Sequence, residues 1–127
     1  MVYESADARA ELAQAVFRIL DDWHVAPRDQ AALLGLPEGT RNRAVTRMRR
    51  QGELPTGEDS EARLRYIVAI DRALEGLLPH NAPMARFWVT TPYPLFADAT
   101  PLEVMLARGV SGMAAVLAEL NGTAERY

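Results

Sequence analysis

Apolar side chains along this chain recur at intervals of three and four residues, and no stretch alternates with period two for long. That spacing lays a single apolar stripe along a helix and gives a strand no consistent buried face. Alanine and leucine dominate and β-branched residues are scattered, which adds to the preference for helix. The sequence therefore predicts an all-α fold. With 127 residues, 49% hydrophobic and 24% charged, the chain is globular in composition. It is sized for one domain, or for two small ones that share a helix.

Punctuation then divides the chain. Ser5 is a good N-cap for a first helix whose stripe is Leu12, Val16, Ile19, Leu20 and Trp23, with Asp7 in the favourable first turn. Pro27 opens a second helix to Leu34, which Gly35 ends, and Pro37, Glu38 and Gly39 form a turn. A third helix is expected over Thr40–Gln51, closed by Gly52, with Ala44, Val45 and Met48 inward and Arg41, Arg43, Arg47 and Arg50 outward. After a linker holding Pro55 and Gly57, a fourth runs over Asp59–Leu78 with Leu64, Ile67, Ile70, Leu74 and Leu77 as its stripe. Pro79 stops it, and a short helix follows over Ala82–Val89. Two prolines, Pro92 and Pro94, predict an extended path through Thr91–Phe96. Thr100-Pro101-Leu102-Glu103 has the form of a capping box with proline at the first helical position. That helix ends at Gly109, and a last one spans Val110–Leu120 with Val110, Met113, Leu117 and Leu120 on one face. Asn121-Gly122 reads as a left-handed stop, leaving Thr123–Tyr127 as a tail.

Composition excludes several chemistries. There are no cysteines, hence no disulfide scaffold, Cys-based zinc site or thiol nucleophile. No apolar run approaches the length of a membrane span, and the N-terminal residues lack the apolar core of a secretory signal, so a cytoplasmic location is expected. His24 and His80 sit at helix ends, and Ser5, Ser60 and Ser111 stand where N-caps belong. Asp21-Asp22-Trp23-His24 is the one candidate ligand cluster, but adjacent helical positions point to different faces. Neither catalysis nor a cofactor is expected.

The net charge is −3, yet all 14 basic residues are arginine and five lie between Arg41 and Arg50 with no acid among them. Arg43 and Arg47 form an unrelieved like-charge pair one turn apart, which a polyanionic partner would relieve. Arg41, Asn42, Arg43, Thr46, Arg47, Arg49 and Arg50 are the candidate DNA-binding residues, since Arg and Asn reach bases and Arg and Thr reach phosphates. Ala31 and Gly35 have the spacing of a helix-turn-helix, and Val45 and Met48 resemble the anchors of its second helix. The connection is about four residues longer than in the compact motif. A plain helical hairpin with a solvated arginine face is the alternative. Phe87, Trp88, Tyr93 and Phe96 concentrate aromatic surface in an irregular segment, which suits either a lid or a protein interface.

The residues Trp88, Pro92 and Pro94, Leu95-Phe96, Thr100-Pro101-Leu102-Glu103, Met105, Gly109, Val116, Leu117 and Asn121-Gly122 resemble the C-terminal pattern of Xre/MbcA/ParS-type antitoxins. The helices from about Leu33 to Leu78 resemble the helix-turn-helix half of the same family. The chain departs from the pattern where glycines usually precede the Thr-Pro, at Ala97-Asp98-Ala99, and where an acidic-glycine turn usually stands, at Ala107-Arg108-Gly109. The resemblance implies a helix-turn-helix-like bundle over residues 1–78 and a small helical toxin-binding domain over 79–127. It implies an antitoxin of a bacterial type II pair whose partner is a RES-domain toxin that degrades NAD. Trp88, Pro92, Tyr93 and Phe96 would then face the toxin, and Asn121, Gly122, Thr123, Arg126 and Tyr127 would reach its NAD pocket. Operator DNA is the second expected partner, bound by a homodimer or a toxin-bridged assembly. A free-standing transcriptional regulator, or an adaptor that uses Phe87–Phe96 alone, are the rival readings.

Overall fold

The computed structural model describes residues 6–126, with side chains over 7–123. Ser5, expected as the first cap, and Tyr127 lie outside the described residues. Among those described, the element order is α1 (Ala6–Asp22), α2 (Pro27–Leu33), α3 (Asn42–Gln51), α4 (Glu58–Leu77), α5 (Ala82–Trp88), α6 (Pro101–Arg108) and α7 (Val110–Arg126), with no strand. The chain forms two compact units, Met1–Leu64 and Arg65–Tyr127, which divide within α4.

In the first unit, three successive helices end the same way. The amide of a left-handed residue bonds back three positions and the next amide bonds back five. His24 and Val25 do this for α1, Gly35 and Leu36 for α2, and Gly52 and Glu53 for α3. These paired bonds satisfy carbonyls that the helix ends would leave bare. Gly35 is required twice over. Its φ is +80°, and a Cβ there would stand 2.8 Å from Asp59 Oδ2 and 2.9 Å from Arg63 Cδ. Of these α4 residues, Arg63 caps the end of α2 and Asp59 accepts from Arg63 Nε at 2.8 Å. Arg63 Nη1 donates to the Ala32 carbonyl at 2.9 Å, and buried Ser60 donates to the Leu34 carbonyl at 3.0 Å. Arg9 of α1 pairs with Glu61 at 3.0 Å and donates to the Pro55 carbonyl, tying the linker down. Val16, Phe17, Ile19, Leu20, Trp23, Leu33, Leu34, Val45 and Leu64 are buried.

In the second unit the predicted capping box is present in full. The Thr100 side chain accepts from the Glu103 amide at 3.0 Å, and Glu103 accepts from the Thr100 amide at 2.7 Å. The turn into α7 passes through Gly109 at φ 62°. There α6 and α7 meet at Gly112, where an added Cβ would collide with the Val104 carbonyl oxygen. Met105, Met113, Val116 and Leu120 are buried along this pair, while Val110 and Leu117, expected on the same stripe, are half-buried.

Two local expectations are corrected. Pro92 and Pro94 do not hold Thr91–Phe96 extended throughout, because Pro94–Phe96 closes a 3-10 turn. The proline φ suits that turn, and the Tyr93 carbonyl accepts from both Phe96 and Asp98 amides. Nor does Asn121-Gly122 stop α7, which continues to Arg126. Leu120 is buried, and Thr123 donates to the Glu119 carbonyl at 3.0 Å, so packing and a side-chain bond outweigh the weak helix preference of one glycine.

Candidate functional site

Helix α3 presents its cations on one arc. At about 100° per residue, Asn42, Thr46, Arg50, Arg43 and Arg47 fall in sequence around some 140° of its circumference. All five are exposed, as is Arg41 at the N-cap, and Val45 is buried on the other side. Arg41, Arg43, Arg47 and Arg50 form no ion pair with a described residue. The N-cap Arg41 lends no side-chain cap to α3, whose Ala44 amide donates to the Arg41 carbonyl at 2.9 Å. A bare cationic arc is suited to phosphate, and the arginine and asparagine heads can reach base edges.

Arg49, grouped with these residues by sequence, sits just outside the arc. Its guanidinium grips Asp21 with two bonds, at 2.7 and 3.1 Å, and donates to Gln30 Oε1 at 2.9 Å. It also lies 4.8 Å from the centre of the Phe17 ring. Gln30 is buried, and its amide nitrogen donates to the Val25 carbonyl at 3.0 Å. Sequence reading missed Asp21 and Gln30 as partners. The available signal was an acid at the C-terminal end of α1, where the helix dipole disfavours it unless a cation stands near.

The aromatic segment of the second unit folds into a cluster. The Trp88 and Tyr93 rings meet edge-on at 5.7 Å, and those of Tyr93 and Phe96 are tilted at 5.3 Å. Tyr93 donates its hydroxyl to Glu119 of α7 at 2.7 Å. These three rings are half-buried, whereas Pro92 is exposed. The outward apolar surface is supplied by residues that sequence reading did not single out as a group. Met84 and Phe87 on α5 are 53% and 54% exposed, and Leu95 is 68% exposed. Beside Leu95 lies a shallow groove of about 680 Å³ bounded by the 95–99 loop and α6. In that loop Ala97 and Asp98 both hold positive φ, 55° and 67°. Asn121 is exposed, Gly122 and Thr123 are half-buried within α7, and the Arg126 side chain is outside the described set. Among the described residues no cluster of His, Asp or Glu can hold a metal, and no helix is long and apolar enough to cross a membrane.

A helix-turn-helix unit with an outward cationic arc, followed by a helical unit with exposed apolar side chains, defines a two-part regulator that acts by binding. Residues 3–68 match the antitoxin Xre-like helix-turn-helix domain, and residues 73–126 match the antitoxin Xre/MbcA/ParS C-terminal toxin-binding domain. The chain belongs to this antitoxin family, whose members are regulatory rather than enzymatic. It is also similar to a Sinorhizobium fredii protein named uncharacterized protein y4oB. The two are 36% identical over 103 residues, covering 81% of this chain and 75% of that one.

Proposed function

We propose that this antitoxin neutralises a RES-domain toxin that degrades NAD, as one half of a bacterial type II pair, and represses its own operon. The toxin contact is assigned to the second unit, through the exposed Met84, Phe87 and Leu95, the Trp88–Tyr93–Phe96 cluster, Pro92, and Asn121, Gly122, Thr123, Arg126 and Tyr127. Inhibition is steric, because a covered active site needs no chemistry from the protein that covers it. Operator contact is assigned to Arg41, Asn42, Arg43, Thr46, Arg47 and Arg50. A two-fold dimer or toxin-bridged assembly would place two copies of α3 on successive half-sites. The residue division of the reading is 1–78 for DNA and 79–127 for toxin, in a cytoplasmic protein.

The observation that carries the reading is the pairing of two unlike surfaces in one chain. One is a cationic arc whose arginines have no described counter-ion. The other is a set of large apolar side chains more than half exposed. The test is purification of the product of the adjacent gene, with NAD consumption measured alone and after adding this protein. NAD loss that the protein suppresses at equimolar ratio supports the proposal. A neighbour that leaves NAD intact, or one whose NAD turnover ignores the protein, overturns it.

A further inference from the structure

We propose that Arg49 is a positioning residue that sets the rotation of α3 about its own axis and makes no contact with DNA. The inference rests on the DNA-binding reading above. Helix α3 is ten residues long, and Val45 is its one fully buried side chain, flanked by half-buried Ala44 and Met48. A grip that narrow resists removal of the helix from the surface better than it resists rolling. Rolling matters here, because a shift of about 40° exchanges Arg50 for Thr46 near the centre of the outward face.

The Arg49 fork supplies the missing constraint. It engages α1 twice, through the bidentate pair with Asp21 and the face of Phe17, and engages α2 through Gln30. Three helices therefore meet at one planar group whose geometry admits little rotation. Gln30 is itself fixed, because its amide nitrogen donates to the Val25 carbonyl at 3.0 Å and to Asp21 Oδ1 at 3.4 Å, and its oxygen is turned to Arg49. Lysine in place of Arg49 would keep the charge and lose the fork. The four other arginines of α3 and its N-cap have no such engagement, which separates a residue that aims the helix from those it aims.

Asp21→Asn gives a test whose sign distinguishes the two roles. Removing an acid from a DNA-binding protein ordinarily strengthens binding, and freeing an arginine beside the duplex would strengthen it further. If Arg49 aims the helix, the same change weakens binding. The full chain is titrated against a duplex taken from immediately upstream of its own gene, across a salt series, alongside a random duplex of equal length. Asp21→Asn and Arg49→Lys are each expected to lower affinity about fivefold with the dependence on salt unchanged. Arg47→Gln, a phosphate contact in this reading, is expected to reduce the slope of log K against log salt by about one. Nitrogen resonances of the Arg49 guanidinium should be sharp and protected in the free wild-type protein and lose that protection in Asp21→Asn. Higher affinity for Asp21→Asn, or a slope lost in Arg49→Lys or Arg49→Gln as in Arg47→Gln, overturns the proposal while leaving DNA binding intact. A wild-type chain that binds neither duplex at low salt overturns both readings together.

Discussion

Gly112 and Gly76 are both helical glycines, and replacing each with alanine should move stability in opposite directions. The intrinsic helix preference is the same at the two sites, about 1 kcal/mol in favour of alanine within a helix and less near its end. The surroundings differ. Around Gly76 an added Cβ would meet nothing within 4 Å beyond its chain neighbours and the backbone of its own helix, so only the preference acts. At Gly112 that Cβ would stand 3.0 Å from Arg108 Cβ and from the Val104 carbonyl carbon, and would collide with the Val104 oxygen. The blocking atoms include backbone, so α6 and α7 must separate rather than one side chain turning aside. Overpacking of this kind costs about 1–3 kcal/mol, which exceeds the gain in helix preference. Gly112→Ala is therefore expected to destabilise the protein by about 1–2 kcal/mol, a fall of roughly 3–8 °C in melting temperature. Gly76→Ala should raise stability by up to about 1 kcal/mol. Urea and thermal unfolding of both variants, followed by circular dichroism, give the comparison, with the urea slope unchanged if both remain two-state. The reasoning fails if Gly112→Ala is as stable as the wild type, or if both variants move the same way.

Two further outcomes follow from single residues and a third from a pair. Thr100→Ala removes the cap that accepts from the Glu103 amide and should cost about 1 kcal/mol in the same unfolding assay, with α6 otherwise intact. Ala97→Gly should stabilise by roughly 0.5–1 kcal/mol. Relief of a left-handed alanine, about 1–2 kcal/mol, exceeds the added freedom of glycine in the unfolded chain, and an unchanged or lower melting temperature would contradict this. Replacing Phe87 and Leu95 together with serine should leave the melting temperature within about 2 °C, because both side chains are more than half exposed, yet weaken toxin binding at least tenfold by calorimetry.

The helices were legible because this chain marks its boundaries with residues whose own chemistry suits a helix end. Pro27 fixes its own φ, Gly35 and Gly52 enter the left-handed region at little cost, and the Thr100–Glu103 box pairs side chains with backbone amides, and each stands where the structure begins or ends a helix. Left-handed turns built from other residues were not legible. His24, Ala97 and Asp98 occupy left-handed positions without being glycine, so nothing in their identity announces it. Asn121-Gly122 reads as a stop and is overridden by the packing of Leu120 and the back-bond from Thr123. Arg49 shows the same limit at the candidate site. Its composition matches that of its neighbours, and its separation from them depends on Asp21, 28 residues away in sequence. Exposure was likewise hidden, since Met84 and Leu95 look like core residues until their surroundings are known.

The unbroken course of α7 changes what its last residues can accomplish. An extended strand from Asn121 to Arg126 would span about 20 Å and slip into a narrow hole. Coiled as a helix, the same six positions advance only about 9 Å and form a rod about 10 Å across. A receptor that admits this rod must offer a trench rather than a keyhole, and any deeper entry demands unwinding of the final turns at the moment of contact.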